Sequence, residues 1–395
     1  MQTNKSFADR IDWSLAFILF LFFIVSLIAI SSAQTSGQYN VNFVPRQGLF
    51  YIVSIGLIGI LMYFEPEQYK KMAYYLYGFG IFTLILLMIA PDGPGQIGEP
   101  VNGAKAWFHT PVVNIQPAEF MKTFYILALA KMISSHHEKF SLKTVKSDLV
   151  LLGKIGFFLF IPLMFILQQP DLGTALVFIA ITLAIIVVSG ISWKIILPSF
   201  GSVAVIGTTL LWMTINAQEF LTNTFGIQPY AFARIYTWLD PYSYADNEGY
   251  NLIAAMNAIG SGEVFGKGYQ GREVYVPENH TDFIFTVISE DFGFIGASVV
   301  IILFFMLIYH LTKITLELKD TFSTYVCAGI IAMVTFHVFQ NIGMTIQLLP
   351  ITGIPLPFIS YGGSSLIGNM MAIGIVFSMK FHHKTYMFGN DKEDQ

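Results

Sequence analysis

The sequence predicts an all-α polytopic membrane protein with about ten transmembrane helices and a large extracellular loop between the seventh and eighth spans. Three observations predict this class. Of the 395 residues, 54% are hydrophobic and only 12% are charged, whereas about 25% of the residues in soluble globular chains are charged. The mean hydropathy is +0.62. Finally, ten apolar runs approach the length of about 20 residues that a helix needs to cross the hydrocarbon core.

The ten predicted spans follow one another along the whole chain. They lie near residues 13–33, 46–64, 72–90, 116–133, 150–168, 171–190, 195–216, 282–309, 321–346 and 360–380. The first run follows Asp9, Arg10 and Asp12 and lacks a small-residue cleavage pattern, so we interpret it as a span and not as a signal peptide. We predict a single membrane domain, 1–395, that includes the large extracellular loop 217–281 and a short cytoplasmic tail 381–395.

Composition also excludes several classes of function. The net charge of -4 carries no basic excess, so nothing indicates a nucleic acid partner. The single cysteine, Cys327, excludes internal disulfides and cysteine-rich metal sites. The histidines show no metal-ligand spacing, which makes a transition-metal site improbable. A phosphate-binding GxxxxGK[ST] loop is also missing, which disfavours ATP-driven pumping.

The distribution of positive charge predicts the orientation. An even number of spans places both termini on one side of the membrane, and loops rich in Lys and Arg stay in the cytoplasm. With cytoplasmic termini, all but six of the 21 Lys and Arg residues lie on the inner side. The six in or near outer segments are Arg46, Lys105, Lys122, Arg234, Lys267 and Arg272. Positive charge on the outer side opposes the insertion preference, and binding of an anion would explain it.

Ionisable side chains in or at the mouth of a membrane bundle are costly and are therefore candidates for function. Asp282, at the start of the eighth span, is a candidate general base, with His280 near enough in sequence to tune it. A helix N-cap is the alternative, since Asp is favoured there. Deeper in the same helix, Glu290 and Asp291 could form a proton path or structural polar contacts.

Other candidates have equally simple structural alternatives. Glu119 and Lys122 are three residues apart on one helix face, where they form an ion pair, or Lys122 faces a ligand that Glu119 helps to orient. Trp107 belongs to an interfacial aromatic belt or stacks on a sugar. Ser360 begins a run of small residues that permits close helix packing, with a polar contact to substrate as the alternative. Arg234 directs its charge at the site or pairs with Asp240 within its loop.

Five segments occur in order along the chain and together resemble one bacterial family. They are GAKAWF at 103–108, QPAEF at 116–120, QPDLGT at 169–174, PENHTDFIF at 277–285 and PLPFISYGGSS at 355–365. This set is similar to the SEDS family, named for shape, elongation, division and sporulation, from the first span to the last. NIGM at 341–344 and the short termini resemble the elongation branch, RodA, more than the division branch, FtsW.

The resemblance implies the SEDS fold of ten spans and a peptidoglycan glycosyltransferase of the bacterial cell membrane. Such an enzyme polymerises lipid II on the outer face during cell elongation and shape maintenance, with a class B penicillin-binding protein and other elongation-machinery membrane proteins as partners. The family's essential aspartate in the HTDF motif falls on Asp282. Two departures are Ala106, where many relatives carry Arg, and Ala118, where Ser is commoner.

These residues lead to a hypothesis for the reaction. Asp282 removes the proton from the acceptor hydroxyl, and the oxygen displaces undecaprenyl diphosphate from the anomeric carbon with inversion. The predicted substrate-binding residues are Arg46, Lys105, Trp107, Glu119, Lys122, Arg234, Lys267, His280 and Ser360. We expect no covalently bound cofactor, and a divalent cation, Mg²⁺ or Mn²⁺, could accompany the substrate pyrophosphate.

Two other classes of function are kept as alternatives. A flippase for the lipid-linked precursor needs a polar path that reaches both membrane faces. The candidate residues here concentrate on the outer side, which favours chemistry at the surface. A non-enzymatic scaffold of the elongation machinery is the second alternative, and an FtsW-like division enzyme is an alternative subtype of the glycosyltransferase.

Overall fold

The computed structural model describes residues 10–37, 41–101, 103–110, 114–140, 144–225, 229–245 and 249–383. Within these ranges the chain forms thirteen α-helices, two short 3₁₀ helices and one small sheet. The sheet pairs β1 (Phe108–His109) with β2 (Asn114–Ile115) in antiparallel register, inside the Gly/Pro-rich stretch that follows the third span. Apart from this hairpin and one isolated bridge, the regular secondary structure of the described residues is helical, as the composition predicts.

The helices are numbered here in chain order. They are α1 (Trp13–Ala33), α2 (Phe43–Leu61), α3 (Pro66–Ile89), α4 (Pro117–Lys139), α5 (Val145–Gln168), α6 (Leu172–Val188), α7 (Trp193–Asn216), α8 (Gln218–Phe225), α9 (Pro229–Leu239), α10 (Gly249–Ser261), α11 (Ile284–Glu317), α12 (Thr321–Thr345) and α13 (Gly363–His382). The 3₁₀ helices are Gln34–Ser36 and Tyr242–Tyr244.

A helix lies at each of the ten predicted spans. Among the described residues, eight helices are long and apolar enough to cross a membrane: α1, α2, α3, α5, α7, α11, α12 and α13. The apolar helix α6 has 17 residues, and α4 carries Glu119 and Lys122 in its first two turns. The chain is therefore a multi-pass membrane protein, and ten remains the predicted number of spans.

Several helices begin earlier than the apolar runs predict, because polar residues outside the runs cap them. The Asn42 side chain accepts a hydrogen bond from Val44 N at the start of α2. Glu65 and Gln68 form a reciprocal capping box at the start of α3. Thr144 accepts from Ser147 N at the start of α5. A hydrophobicity pattern marks where a helix meets lipid, whereas caps mark where its hydrogen bonds begin.

The bundle is built around α4, α12 and α13. α4 packs against α3, α12 and α13, while α13 also packs against α2, and α12 against α6 and α11. Most of the apolar window of α13 is buried, whereas that of α7 is largely exposed. The exposed side chains of Leu197, Val205 and Trp212 lie along α7. Such apolar side chains suit contact with lipid, so α7 lies at the periphery.

The predicted large loop, 217–281, is substantially helical in its described parts. It contains α8, α9, a 3₁₀ turn and α10. The apolar face of α10, with Leu252, Ala255 and Ala258 fully buried, packs against α11. This apolar segment of the loop is therefore covered by protein. Most of the predicted tail 381–395 lies outside the described residues.

Helix α11 is interrupted at Gly293, and the loop after α10 completes its hydrogen bonds. Gly293 has φ +64° and ψ -159°. Lys267 N donates to Glu290 O at 2.9 Å and Gly268 N to Asp291 O at 3.0 Å, while Phe294 N donates to Glu263 O at 2.9 Å. A side chain at Gly293 would meet the backbone of residues 264 and 266. Glycine is needed here for both its φ and its lack of Cβ.

Candidate functional site

The PENHTDF segment forms a turn, residues 277–283, that carries Asp282 immediately before α11. Its three consecutive carbonyls at residues 280–282 are each held from another element. Tyr361 N donates to His280 O at 2.9 Å, Ser360 Oγ to Thr281 O at 2.7 Å, and Asn341 Nδ2 to Asp282 O at 2.7 Å. Hydrogen-bond networks whose polar groups are satisfied rigidify the segments that they join. The turn is therefore anchored to α12 and to the segment before α13.

Asn341 also joins the turn to the chain segment that precedes α13. It is fully buried, and its Nδ2 donates a second hydrogen bond, to Ile354 O at 2.8 Å. Gly353, next to Ile354, has φ +71°. A Cβ at Gly353 would lie 3.3 Å from Asp282 Oδ2. The 353–354 backbone therefore passes directly beside the carboxylate.

The surroundings of Asp282 disfavour its charged form. Burial, assisted by the negative charges of Glu278 and Asp171 and opposed by Arg234, raises the pKa of Asp282 to about 7. Asp171 caps α6 by accepting a hydrogen bond from Thr174 N at 2.9 Å. Gln116 Nε2 donates to the other Asp171 oxygen at 3.0 Å. The QPAEF and QPDLGT motifs thus place a second carboxylate near Asp282.

Asp282 does not cap α11. The residue at the N-cap position is Phe283, and no side chain makes a capping hydrogen bond there. The alternative explanation for an aspartate at this position is therefore wrong. A carboxyl whose pKa lies near 7 can both accept and release a proton at neutral pH, as a general base must.

The His280 side chain, also in the turn, is buried and stacks on the ring of Phe43. Its centroid is 4.5 Å from that of Phe43, with the rings 7° from parallel, and Tyr361 packs on both. Burial lowers the pKa of His280, so the ring is neutral at pH 7. Arg46, one turn after Phe43 on α2, is exposed at the same end of the bundle. His280 therefore links the turn to the start of α2, beside a cation.

Glu119 and Lys122 form a buried ion pair between α4 and α12. Lys122 Nζ lies 2.8 Å from Glu119 Oε1 and 3.1 Å from His337 Nε2. The Lys122 side chain is 1% exposed and that of Glu119 is 4% exposed. The first of the two alternatives, a structural pair, describes this arrangement. Removing one partner of such a pair leaves a buried charge without compensation.

Lys105 and Trp107 lie on the hairpin stretch near the end of α3. Lys105 Nζ donates to Met88 O at 3.0 Å and to Ala90 O at 2.6 Å, and it is 3.5 Å from Asp92 Oδ2. A cation at these carbonyls complements the negative end of α3. Trp107 is half-buried. The structure thus places Lys105 at a helix end, with its contacts to α3 and not to the Asp282 turn.

Lys267 belongs to a polar cluster at the break in α11. Its Nζ lies 2.9 Å from Glu290 Oε1 and 3.0 Å from Glu273 Oε2. Glu290 also accepts from the backbone N–H groups of residues 273 and 274. Beside it, Arg272 lies 3.8 Å from Asp291 and donates to Ser32 O. Glu290 and Asp291 thus make the structural contacts that were one of their two predicted roles.

Among the described residues, no group of three His, Cys, Asp or Glu side chains is arranged to hold a metal ion. Arg234, on α9, carries a charge that acts on Asp282. Asp240, its suggested partner, accepts hydrogen bonds from Ser243 N and Oγ. The site therefore combines one carboxylate of raised pKa, two further acidic neighbours and one opposing arginine.

Sequence reasoning missed three residues around Asp282. Asn341 interrupts an apolar span, and a polar side chain within a span is itself a signal of function. Glu278 lies in the motif but was not singled out as a charge, and it has φ +51°. Gly353 gives no sequence signal of its own, since its importance arises from the approach of a distant segment.

The fold and the site together define a class of protein. This is a polytopic membrane protein with a carboxyl group near neutral pKa at one end of its bundle, suited to transfer a proton at the membrane surface. The chain belongs to the FtsW/RodA/SpoVE family of cell cycle proteins, whose model matches residues 8–385. The family predicted from the five motifs is thereby confirmed.

Curated relatives align over almost the whole chain. The peptidoglycan glycosyltransferase MrdB of Escherichia coli K12 is 32% identical over 387 residues, covering 96% of this chain and 97% of that protein. Stage V sporulation protein E of Bacillus subtilis is 32% identical, covering 96% and 98%. The probable peptidoglycan glycosyltransferase FtsW of Pasteurella multocida is 31% identical, covering 96% and 92%.

Solved structures share the fold. One chain from a peptidoglycan synthase complex that coordinates polymerization and crosslinking superposes with a TM-score of 0.75, at 25% identity, covering 94% of this chain and 97% of that one. The rod shape determining protein RodA of Thermus thermophilus gives a TM-score of 0.66 at 24% identity, covering 94% and 96%. The predicted SEDS fold is confirmed by these likenesses.

Proposed function

We propose that this chain is a peptidoglycan glycosyltransferase that polymerises lipid II into glycan strands on the outer face of the cytoplasmic membrane. Curated relatives at 31–32% identity that carry this activity in their names support the proposal. The observation that carries it is the anchored turn with Asp282, whose pKa of about 7 suits proton transfer.

Asp282 acts as the general base in this proposal. It takes the proton from the acceptor sugar hydroxyl as that oxygen attacks the anomeric carbon of the growing strand. The bond from the anomeric carbon to the diphosphate oxygen breaks, undecaprenyl diphosphate leaves, and the configuration inverts. The three hydrogen bonds to residues 280–282 support this role, because a base must be held in place to gain from proximity.

Cations stabilise the departing diphosphate. Arg234 is favoured because its charge already acts on Asp282, and exposed Arg46 lies at the same end of the bundle. Lys122 and Lys267 are each paired with a carboxylate, so we assign them to holding the helices around the site. A divalent cation would be held mainly by the diphosphate itself, as Mg²⁺ often is.

The orientation follows from the charge distribution. We infer that both termini are cytoplasmic, since this leaves 15 of the 21 Lys and Arg residues on the inner side. The Asp282 turn then faces outward, where the acceptor strand grows. We also infer a role in elongation, with a class B penicillin-binding protein as partner.

The decisive experiment measures glycan polymer formed from purified lipid II by the detergent-solubilised full-length chain, with and without a class B penicillin-binding protein. Wild type is compared with Asp282→Asn, which keeps the shape of the side chain and removes the base. The matched control is Asp240→Asn, which removes one exposed carboxylate from the outer loop while an asparagine keeps the turn with Ser243.

We expect polymer from wild type and from Asp240→Asn, and none from Asp282→Asn. Polymer at the wild-type rate from Asp282→Asn would refute the assigned base. If no variant makes polymer even with the partner, but lipid II crosses proteoliposomes, the chain is a transporter. Scaffolding alone predicts neither activity.

A further inference from the structure

A cavity of about 750 Å³ lies between the start of α3, the end of α4 and the start of α5. It is at the opposite end of the bundle from Asp282. Helix α4 begins beside Asp171, through Gln116, and it rises roughly 22 Å from Pro117 to Met132, where the cavity begins. This cavity, called here the α3–α5 cavity, is therefore separate from the proposed active site.

The walls of the α3–α5 cavity are both aromatic and basic. Tyr74, Phe157 and Phe158 line it together with Lys139 and Lys154. Phe157 is 62% exposed, on a helix that faces lipid. An apolar wall continuous with the lipid-facing surface, next to two ammonium groups, fits an amphiphile with an anionic head better than a soluble ion.

The two cavity lysines have no acidic partner in the described part of the chain. No carboxylate there lies within the 4.0 Å that defines an ion pair with Lys139 or Lys154, whereas nearby Lys70 is paired with Glu138 at 2.6 Å. Lys131, about two turns before Lys139 on α4, packs over the Tyr74 ring at 4.3 Å. The region therefore carries uncompensated positive charge, which favours an anionic ligand.

A buried histidine in the same wall also lacks one partner. His136 is 3% exposed, and its Nε2 lies 2.9 Å from Ser147 Oγ. Its Nδ1 is buried without a hydrogen-bond partner among the described residues. Buried polar atoms are normally satisfied by protein, water or ligand. His136 thus adds a polar side chain to the cavity wall, about one turn before Lys139 on α4.

We propose that the α3–α5 cavity binds the headgroup of an anionic glycerophospholipid from the leaflet opposite Asp282. The phosphate lies against Lys139 and Lys154, and an acyl chain runs along Phe157 and Phe158. Basic pockets between transmembrane helices recognise anionic headgroups in this way. The proposal does not depend on the glycosyltransferase activity. With cytoplasmic termini, the leaflet is the inner one.

The test is a titration of the delipidated full-length protein with phosphatidylglycerol or phosphatidylcholine of identical acyl chains, followed by native mass spectrometry. Wild type should bind phosphatidylglycerol more tightly. Each lysine contributes about 1 kcal/mol to the binding of an anionic lipid, and about 1.36 kcal/mol corresponds to a tenfold change in affinity. The double variant Lys139→Gln with Lys154→Gln should therefore bind phosphatidylglycerol about thirtyfold more weakly. Phe157→Ala, at an exposed position, should also weaken it.

The control removes the same charge elsewhere. Lys194 and Lys313 are exposed near the same end of the bundle and do not line the cavity. Lys194→Gln with Lys313→Gln should therefore bind phosphatidylglycerol as wild type does.

Three results would overturn the proposal. The first is equal binding of the two lipids by wild type, and the second is an equal loss in the control and cavity variants. The third is displacement of lipid by millimolar inorganic phosphate with no effect of Phe157→Ala, which would indicate a phosphate site. If the double cavity variant fails to fold, the single variants decide, each with an expected loss of about fivefold.

Discussion

The rate of glycan polymerisation should depend on pH through the protonation of Asp282. The base acts only when deprotonated, and its pKa is raised to about 7. About one carboxyl in eleven is then deprotonated at roughly pH 6 and about ten in eleven at roughly pH 8. We therefore expect a rise of about tenfold across this interval. An aspartate with an ordinary pKa near 3.9 would give no change over the same range.

The neighbours of Asp282 should move this profile in opposite directions. Glu278 raises and Arg234 lowers the pKa of Asp282. Glu278→Gln should therefore shift the midpoint to lower pH, and Arg234→Gln should shift it to higher pH. The assay is the initial rate of polymer formation at saturating lipid II, measured across the pH range in buffers of constant ionic strength.

Asp240→Asn provides the control, since this exposed carboxylate lies in the outer loop and its change should leave the midpoint in place. A profile that is flat between about pH 6 and pH 8 would refute the reasoning. Shifts of the same sign in Glu278→Gln and Arg234→Gln would show that their charges do not act on the base.

Three further predictions concern stability, each measured by thermal unfolding in detergent. Asp282→Asn should stabilise the protein by at most roughly 4 kcal/mol at about pH 8 and should not stabilise it at about pH 4. Between these pH values folded wild type binds more protons than the unfolded chain, so wild type loses stability as pH rises. An equal gain in stability at both pH values would contradict this. Lys122→Met should cost about 3–5 kcal/mol by stranding Glu119, and adding Glu119→Gln should recover most of it; equal losses in the single and double variants would argue against the pair. Gly293→Ala should destabilise strongly, whereas Gly201→Ala, where a Cβ meets open space, should not; similar unfolding temperatures would disprove the requirement for glycine.

The helices could be predicted from the sequence because a membrane imposes one rule on each span. About 20 apolar residues must be consecutive, and helices lie at all ten predicted positions. The interruption of α11 was not predicted. Gly293 lies in an apolar run, where a glycine is ordinary. The segment 263–268, which pairs with the backbone around Gly293, lies more than 20 residues earlier in the chain, although the fold brings it into contact.

The candidate site was partly predictable for a related reason. Asp282 stands out because a carboxylate beside an apolar run is costly. The spacing suggested the pair of Lys122 with Glu119. It could not suggest the contacts of Lys267 with Glu290 or of Lys122 with His337, since Glu290 lies on α11 and His337 on α12. Spacing identifies neighbours within a helix, whereas Asn341 and Gly353 reach Asp282 only through tertiary packing.

The interruption at Gly293 has a consequence for biogenesis. Unpaired backbone groups within a bilayer cost several kcal/mol each, and α11 leaves the carbonyls of residues 290 and 291 and the amides of residues 294 and 295 to be paired by residues 263–268. The ribosome makes that segment before α11. The outer loop must therefore already have crossed the membrane when α11 inserts, so that translocation of the loop and insertion of the helix become a single coupled event.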